Sequence, residues 1–387
     1  MDNLHKIIYR LASGSPGVLS RVGINTFIDP RIEGGVISKG NSLIGVETFK
    51  GKEYLLFPSQ KVDFALLRGS YCDRRGNIVM SEEVAFHDAC AQAQAARACG
   101  GKVIVQVMAV LDSVPSHEVK VPGFLVDYVV VDDTEHPPTY GHVVAKMRGH
   151  SVVPEFKRII ANRAAKEFPM EKNGFVVNLG IGIPALIGRL VAGKSDATLS
   201  IESGAIGGRP LHELSFGASE EPEAILEQAS LFNFYDGGGI DTAFLGFAEF
   251  DSQGCFNASK FGGRVTGAGG FINIVQSAKK IVFCGSFTTG NLDVSVNNGR
   301  LHIRKEGDIC KFVEKVNQIT FDRRSLDTIN AKEVLIVTER AVFEVKQDGA
   351  ITLKEIAPGI SVNELQEFIP YPFLLSDALI EMDINPN

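Results

Sequence analysis

Val62-Asp63-Phe64-Ala65-Leu66-Leu67 is echoed by Ile240-Asp241-Thr242-Ala243-Phe244-Leu245, an offset of 178 residues. The same ungapped offset pairs Asp73 with Asp251, Gly76 with Gly254 and Lys102 with Lys280. A β-branched run follows each lysine: Val103-Ile104-Val105 in one case, Ile281-Val282-Phe283 in the other. Matches at one constant offset over about forty residues point to two units built on a single plan, repeat detection applied at the scale of domains.

Working outward, the runs Val103–Val107, Tyr128–Val131, Phe175–Leu179, Lys280–Phe283 and Val334–Val337 are continuously apolar rather than alternating. Strands buried on both faces read this way. Helical stretches lie between some of them, Phe86 to Cys99 and Pro154 to Phe168. Strands alternating with helices predict an α/β fold with mostly parallel sheets. The expected domains are residues 1–150 and 151–387, with the break near Gly149 to Pro154, after the Pro137-Pro138 turn. Subtracting 178 from Gly180-Ile181-Gly182-Ile183-Pro184 lands on Asp2-Asn3-Leu4-His5-Lys6, which has no glycine. The first domain is therefore expected to lack its opening strand and glycine loop and to be incomplete at its N-terminus.

Composition narrows the function. The chain has 387 residues, 44% hydrophobic and 22% charged, which excludes disordered and collagen-like classes. A net charge of −7 makes nucleic acid a poor default partner. The six cysteines form no CxxC pair and are too scattered for a disulfide framework. No apolar run approaches the ~18 residues that a membrane span needs, and residues 1–6 do not read as a secretory signal. A cytoplasmic protein without membrane contact is expected. The histidines lack metal-ligand spacing, His136, His142 and His150 included, so no metal is expected. His87, placed in the helix from Phe86, reads as a hydrogen-bonded core or edge residue.

Three stretches have the makings of a site. Asn178-Leu179-Gly180-Ile181-Gly182-Ile183-Pro184 reads as strand, glycine turn and helix start, with proline where the first helical N–H has no partner. Gly180 and Gly182 would let backbone N–H groups approach an anion or oxyanion, although an ordinary turn reads the same. Leu199-Ser200-Ile201-Glu202-Ser203-Gly204 ends an apolar strand in a carboxylate followed by small residues. Glu202 there is a candidate nucleophile or general base, or simply a loop acid. Its counterpart at the repeat offset is Ile24, so chemistry at this position belongs to one copy. Asn257-Ala258-Ser259-Lys260-Phe261-Gly262-Gly263-Arg264 runs into Gly267-Ala268-Gly269-Gly270, with five glycines in nine residues. Backbone N–H nests with Lys260 and Arg264 nearby suit a phosphate-bearing ligand, or a surface loop.

Taken together, Asn178–Pro184, Ile201-Glu202-Ser203-Gly204, and Phe261–Arg264 with Gly269-Gly270-Phe271-Ile272-Asn273 resemble the family I coenzyme A-transferases. Ser15-Pro16-Gly17-Val18, Thr26–Arg31 and Ile356–Ile360 extend the resemblance over essentially the whole chain. The branch it points to is the acetate/propionate CoA-transferases that act on short-chain acyl-CoA. The resemblance implies two fused homologous domains and homo-oligomeric assembly. It implies coenzyme A and acyl-CoA as substrates, with short-chain carboxylic acids as partners and no resident cofactor. It puts Glu202 at the place of the family's glutamate, with ping-pong transfer through a glutamyl-CoA thioester. Gly180, Gly182, Asn257, Lys260, Gly269 and Gly270 are the expected CoA-binding positions. The alternative is a CoA-binding but transfer-deficient chain that needs an N-terminal element. Burial would raise the pKa of Glu202 and N–H donors would lower it; the donors are expected to prevail, since a nucleophile must be ionised.

Overall fold

A computed structural model of the chain describes residues 2–37, 40–132, 153–170, 173–211, 215, 217–325, 330–331 and 333–384. His136, His142, His150, the Pro137-Pro138 turn and most of the expected break at 149–154 lie outside the described residues.

Helix α1 (Asp2–Ala12) leads the chain. A small sheet follows, of strands β1 (Phe64–Arg68), β2 (Lys102–Val107) and β3 (Tyr128–Val131), in the order β3-β2-β1 and all parallel. Helix α2 (Ala89–Ala98) covers one face, its Ala89, Ala93 and Ala96 packed with Ala65, Leu67, Val103 and Val105. Alanines let the helix axis approach the sheet closely. Among the described residues nothing covers the opposite face, where Phe64 is 62% and Leu66 74% exposed and Tyr128 and Val130 are exposed beside them. Burial on both faces therefore fails for this sheet: in β1 and β2 the apolar run is buried only at alternate positions.

Helix α2 starts at Ala89 rather than Phe86, because His87 and Asp88 both have left-handed backbones, with φ of 50° and 56°. His87 is thus an exposed residue ahead of the helix, not a member of it.

The second half builds α3 (Glu155–Ala165), β4 (Val176–Leu179), α4 (Ile183–Val191), β5 (Thr198–Ser200), β6 (Ala205–Ile206) and β7 (Ala224–Ile225). Then come α5 (Gln228–Asp236), β8 (Thr242–Leu245), α6 (Phe271–Ser277), β9 (Lys280–Cys284) and β10 (Glu333–Val337). The last are β11 (Ala341–Val345), β12 (Ile351–Ile356), α7 (Val362–Phe368) and β13 (Leu374–Glu381). Among the described residues these strands form one ten-stranded sheet, ordered β7-β6-β5-β4-β8-β9-β10-β11-β12-β13. The run from β5 to β10 is parallel. Both of its faces are covered. Ile159, Ile160 and Ile187 of α3 and α4 pack on Val177, Phe244 and Val282. Phe232, Tyr235, Ile274 and Val275 of α5 and α6 pack on Ala243, Leu245 and Ile281. Here the continuous apolar runs are buried throughout, as a doubly covered parallel sheet requires.

The internal repeat survives in three dimensions. Phe64 pairs with Lys102 and Thr242 with Lys280, so β1–β2 and β8–β9 share one register at the 178-residue offset. The turns that follow also match. Asp73 Oδ1 accepts the N–H groups of Arg75 and Asn77 at 2.8 and 2.9 Å. Asp251 Oδ1 accepts those of Gln253 and Cys255 at 2.9 and 3.0 Å. Gly76 and Gly254 close the two turns with φ of 79° and 78°, a region glycine enters without strain.

Candidate active site

The parallel strands β4, β5, β8 and β9 end together at Leu179, Ser200, Leu245 and Cys284. Carboxyl ends of such strands are where open α/β sheets place their sites. Glu202 stands two residues beyond β5, in the tight turn that returns the chain as β6. Gly204 makes that turn possible. Its φ is 120°, and a Cβ there would lie 2.2 Å from the Leu226 carbonyl oxygen. The Glu-Ser-Gly sequence thus folds the acid onto the sheet edge.

The Glu202 carboxylate is mostly buried, and its Oε2 accepts the Gly270 N–H at 2.9 Å. Gly270 caps α6, where the first N–H groups have no partner within the helix. Its lack of a side chain matters for space rather than for φ. A Cβ there would fall 2.3 Å from Glu202 Oε2 and 2.5 Å from Phe232 Cζ. The carboxylate and the Phe232 ring therefore close on either side of bare backbone. Beneath them, Tyr235 is fully buried and donates its hydroxyl to Ser200 Oγ at 2.9 Å. Asn178 Nδ2 donates to Tyr235 Oη at 3.1 Å and to the Ser200 carbonyl at 3.3 Å. This network fixes the strand end from which Glu202 projects.

Burial pushes the Glu202 carboxyl above the usual range, and the Gly270 N–H and the nearby His5 charge only partly offset it. The expected dominance of N–H donors is not found, for a simple reason: one backbone N–H does not replace the water removed from a carboxylate.

The remaining candidates separate. Gly269 has a φ of 54° and directly precedes Gly270, next to Glu202. Gly182 caps α4 with a φ of 85° and has open space around it. Gly180 instead spends its N–H on the Phe244 carbonyl at 2.9 Å, so it closes β4 on β8 rather than offering a donor. Asn257 is fully buried. Its amide nitrogen donates to Glu249 Oε2 at 2.7 Å, and its Oδ1 accepts from the N–H groups of Ser259 and Lys260 at 3.0 and 3.1 Å. It shapes the loop and, with no exposed polar atom, is corrected from a ligand contact to a loop-holding residue. Lys260 and Arg264 sit on a short antiparallel ribbon, where Lys260 is opposite Val265 and Arg264 is opposite Phe261, with Gly262 and Gly263 at its exposed tip.

Two residues near Glu202 carry no local signal in the sequence. His5 of α1 stacks on Phe232, with ring centroids 6.0 Å apart. Asp88, ahead of α2, holds His5. Neither sits in a motif, and only the packing of α1 on α2 and α5 brings them here. Among the described residues, no group of three or more His, Cys, Asp or Glu is arranged to hold a metal ion. Nor, among them, is any helix long and apolar enough to cross a membrane.

Comparison with known proteins agrees with this geometry. Residues 4–132 match the family model described as coenzyme A transferase. The caffeate CoA-transferase of Acetobacterium woodii is 39% identical over 96% of this chain and 75% of its own length. The acetate CoA-transferase YdiF of Escherichia coli K12 is 36% identical over 97% of this chain and 71% of its own. The crystal structure of the acyl-CoA transferase YdiF apoenzyme from E. coli O157:H7 superposes with a TM-score of 0.88 at 35% identity, covering 99% of this chain and 75% of that one. A second structure of that enzyme is described as a thioester complex with CoA, and its TM-score is 0.87 at 34% identity. With its fold, repeat and sheet-edge glutamate beside these relatives, the chain belongs to the coenzyme A transferase family and is a transferase.

Proposed function

We propose that this chain moves coenzyme A between a short-chain acyl-CoA and a free carboxylic acid, with Glu202 as the covalent carrier. The two halves, 1–150 and 151–387, act as related α/β domains, of which the second carries the chemistry. The observation that supports this most is the Glu202 carboxylate itself: mostly buried at the strand end, with one hydrogen bond among the described residues, to Gly270, and thus lone pairs left for attack.

A Glu202 oxygen bonds to the acyl carbonyl carbon and the C–S bond breaks, giving a glutamyl–acyl anhydride and the CoA thiolate. The thiolate sulfur then bonds to the glutamyl carbonyl carbon. The bond from the glutamyl carbon to the bridging oxygen breaks, and the acid leaves as its carboxylate with that oxygen. A second carboxylate reverses both steps and departs as the new CoA ester. Thioester energy stays on the enzyme throughout, so no external energy source is required. The Gly270 N–H, already on the Glu202 carboxylate, is suited to an oxyanion that forms on the glutamyl carbonyl. Binding energy from the remote nucleotide and pantetheine would be used at the reacting end. Lys260 and Arg264 on the exposed ribbon are candidate contacts for its phosphates, and Gly182 for its approach.

Intact mass spectrometry after incubation with propionyl-CoA tests the reading, with Glu202→Gln alongside. A gain of one CoA less one water, absent in the variant, is expected. A folded chain that binds CoA without forming the adduct would favour CoA binding without transfer.

A further inference from the structure

Helix α1 brings an imidazole to the back of this site. His5 is 8% exposed, its Nδ1 lies 2.6 Å from Asp88 Oδ2, and its ring lies within 19° of parallel to Phe232. Phe232 is the ring that closes on Gly270 beside Glu202 Oε2. The other ring nitrogen, Nε2, is buried and has no hydrogen-bond partner among the described residues. A buried polar atom left unpaired is costly and calls for an explanation.

Asp88 is built to hold this ring. It is fully buried, and it and His87 are two successive non-glycine residues with left-handed backbone. Such strain persists only where the surroundings enforce it. Here the Asp88 carboxylate accepts the Ala229 N–H at 3.2 Å and the Tyr9 hydroxyl at 3.4 Å. The Asp88 N–H donates to Glu227 Oε2 at 3.0 Å. Burial alone would raise the Asp88 carboxyl, but His5 and the Ala229 N–H hold it below the usual range, so it stands as a carboxylate.

We propose that His5, oriented by Asp88, is a positioning residue that supplies the positive charge against which Glu202 ionises. The proposal rests on Glu202 being the nucleophile. Nδ1 faces the Asp88 carboxylate, Nε2 is the ring position left open, and the ring lies on the Phe232 that closes beside Glu202. The other titratable groups packed around the pair are few. Glu227 stands at the start of α5 and Tyr9 on α1, both against Asp88. His87 lies beside Asp88, exposed at the surface. Tyr235 of α5 stays neutral, raised first by burial and further by Glu202. Lys6 of α1 is paired with Asp236. Of these described side chains, His5 is the one whose charge favours the Glu202 carboxylate, after the Gly270 N–H and the N-terminal ammonium.

The test is single-turnover adduct formation from propionyl-CoA by the full chain, from about pH 5 to about pH 9, a span that covers carboxyl and imidazole titration. His5→Gln is expected to move the acidic limb to higher pH. It should be about tenfold slower than wild type below the midpoint and converge with it at high pH. Asp88→Asn keeps the ring but removes its anion, and should move the limb in the same direction by less. An acidic limb that stays put in both variants overturns the proposal. So does a loss equal at every pH, which a merely structural role would give. If His5→Gln does not fold, the limb of Asp88→Asn decides. An adduct that persists in Glu202→Gln overturns the nucleophile reading instead, whatever His5 does.

Discussion

Replacing Gly270 by alanine tests the geometry of the glutamate directly. The backbone at 270 has a φ of −83°, which alanine adopts freely, so the whole effect is steric. The new Cβ would stand 2.3 Å from Glu202 Oε2 and 2.5 Å from Phe232 Cζ, where ordinary contact begins at 3.4 Å. Phe232 is fully buried in a packed core and has little room to yield. The carboxylate is the part that moves, by about 1 Å, and its 2.9 Å bond to the Gly270 N–H is lost. A hydrogen bond to a charged group contributes about 1.5–3 kcal/mol, and a misplacement of about 1 Å costs on the order of a hundredfold in rate. Both routes lead to a fall of roughly 10²-fold in adduct formation, measured by rapid quenching and mass spectrometry, with CoA affinity retained. Gly40→Ala, where a Cβ meets nothing within 4 Å, serves as the control. A folded Gly270→Ala enzyme that forms adduct within about threefold of wild type would refute the reasoning, because a shift of that size could not then matter.

Glu202→Gln should be at least as stable as wild type at neutral pH. The folded state raises the carboxyl pKa, so the stability Glu202 contributes is complete below its ordinary value and is lost as pH rises through the raised one. The melting difference should therefore narrow on acidification, and a gap that widens instead contradicts the burial argument. The matched turns give a paired test. Gly76→Ala and Gly254→Ala share a left-handed penalty of about 1–2 kcal/mol. However, a Cβ at 254 falls 2.6 Å from the Gly349 Cα, whereas one at 76 is 3.6 Å from its nearest neighbour. Gly254→Ala should be the more destabilising by about 1–3 kcal/mol in denaturant titration; equal losses would show that the second turn relaxes freely.

Much of the fold was legible because it rests on short-range pattern. The apolar runs became strands, and the repeated hexapeptide became the same pair of parallel strands at the same register. Burial was less legible. Phe64-Ala65-Leu66-Leu67 and Thr242-Ala243-Phe244-Leu245 are similar as strings, yet among the described residues only the second has helices on both faces. That difference lies in what packs on a strand, not in the strand. The antiparallel strands β11 and β12 were not read from sequence. At the site, Glu202 and Gly270 stood out by their glycine-rich settings. Asn257 shared such a setting but turned out to hold its own loop, because an amide that binds ligand and one that binds backbone look alike in a sequence. His5 and Asp88 were missed since their pairing is set by helix packing across distant segments. Ile24, the repeat partner of Glu202, packs with Leu55 and Phe57 in an apolar cluster. The two copies share their backbone plan over β1–β2 and β8–β9 and the turns that follow, and differ at this position.

The small sheet ends at β1, whose outer side pairs with no strand among the described residues, whereas its repeat partner β8 is flanked by β4. Among the described residues no strand meets the N–H and C=O groups of that rim, and the exposed side chains of Phe64 and Leu66 stand beside it. Such a margin is a template: any extended segment with apolar residues at alternate positions can continue the ladder, whichever molecule supplies it. Concentration then becomes a structural variable. A short peptide patterned on Val176–Leu179, the strand that flanks the repeat partner, is expected to bind there and to suppress any concentration-dependent rim-to-rim pairing in sedimentation.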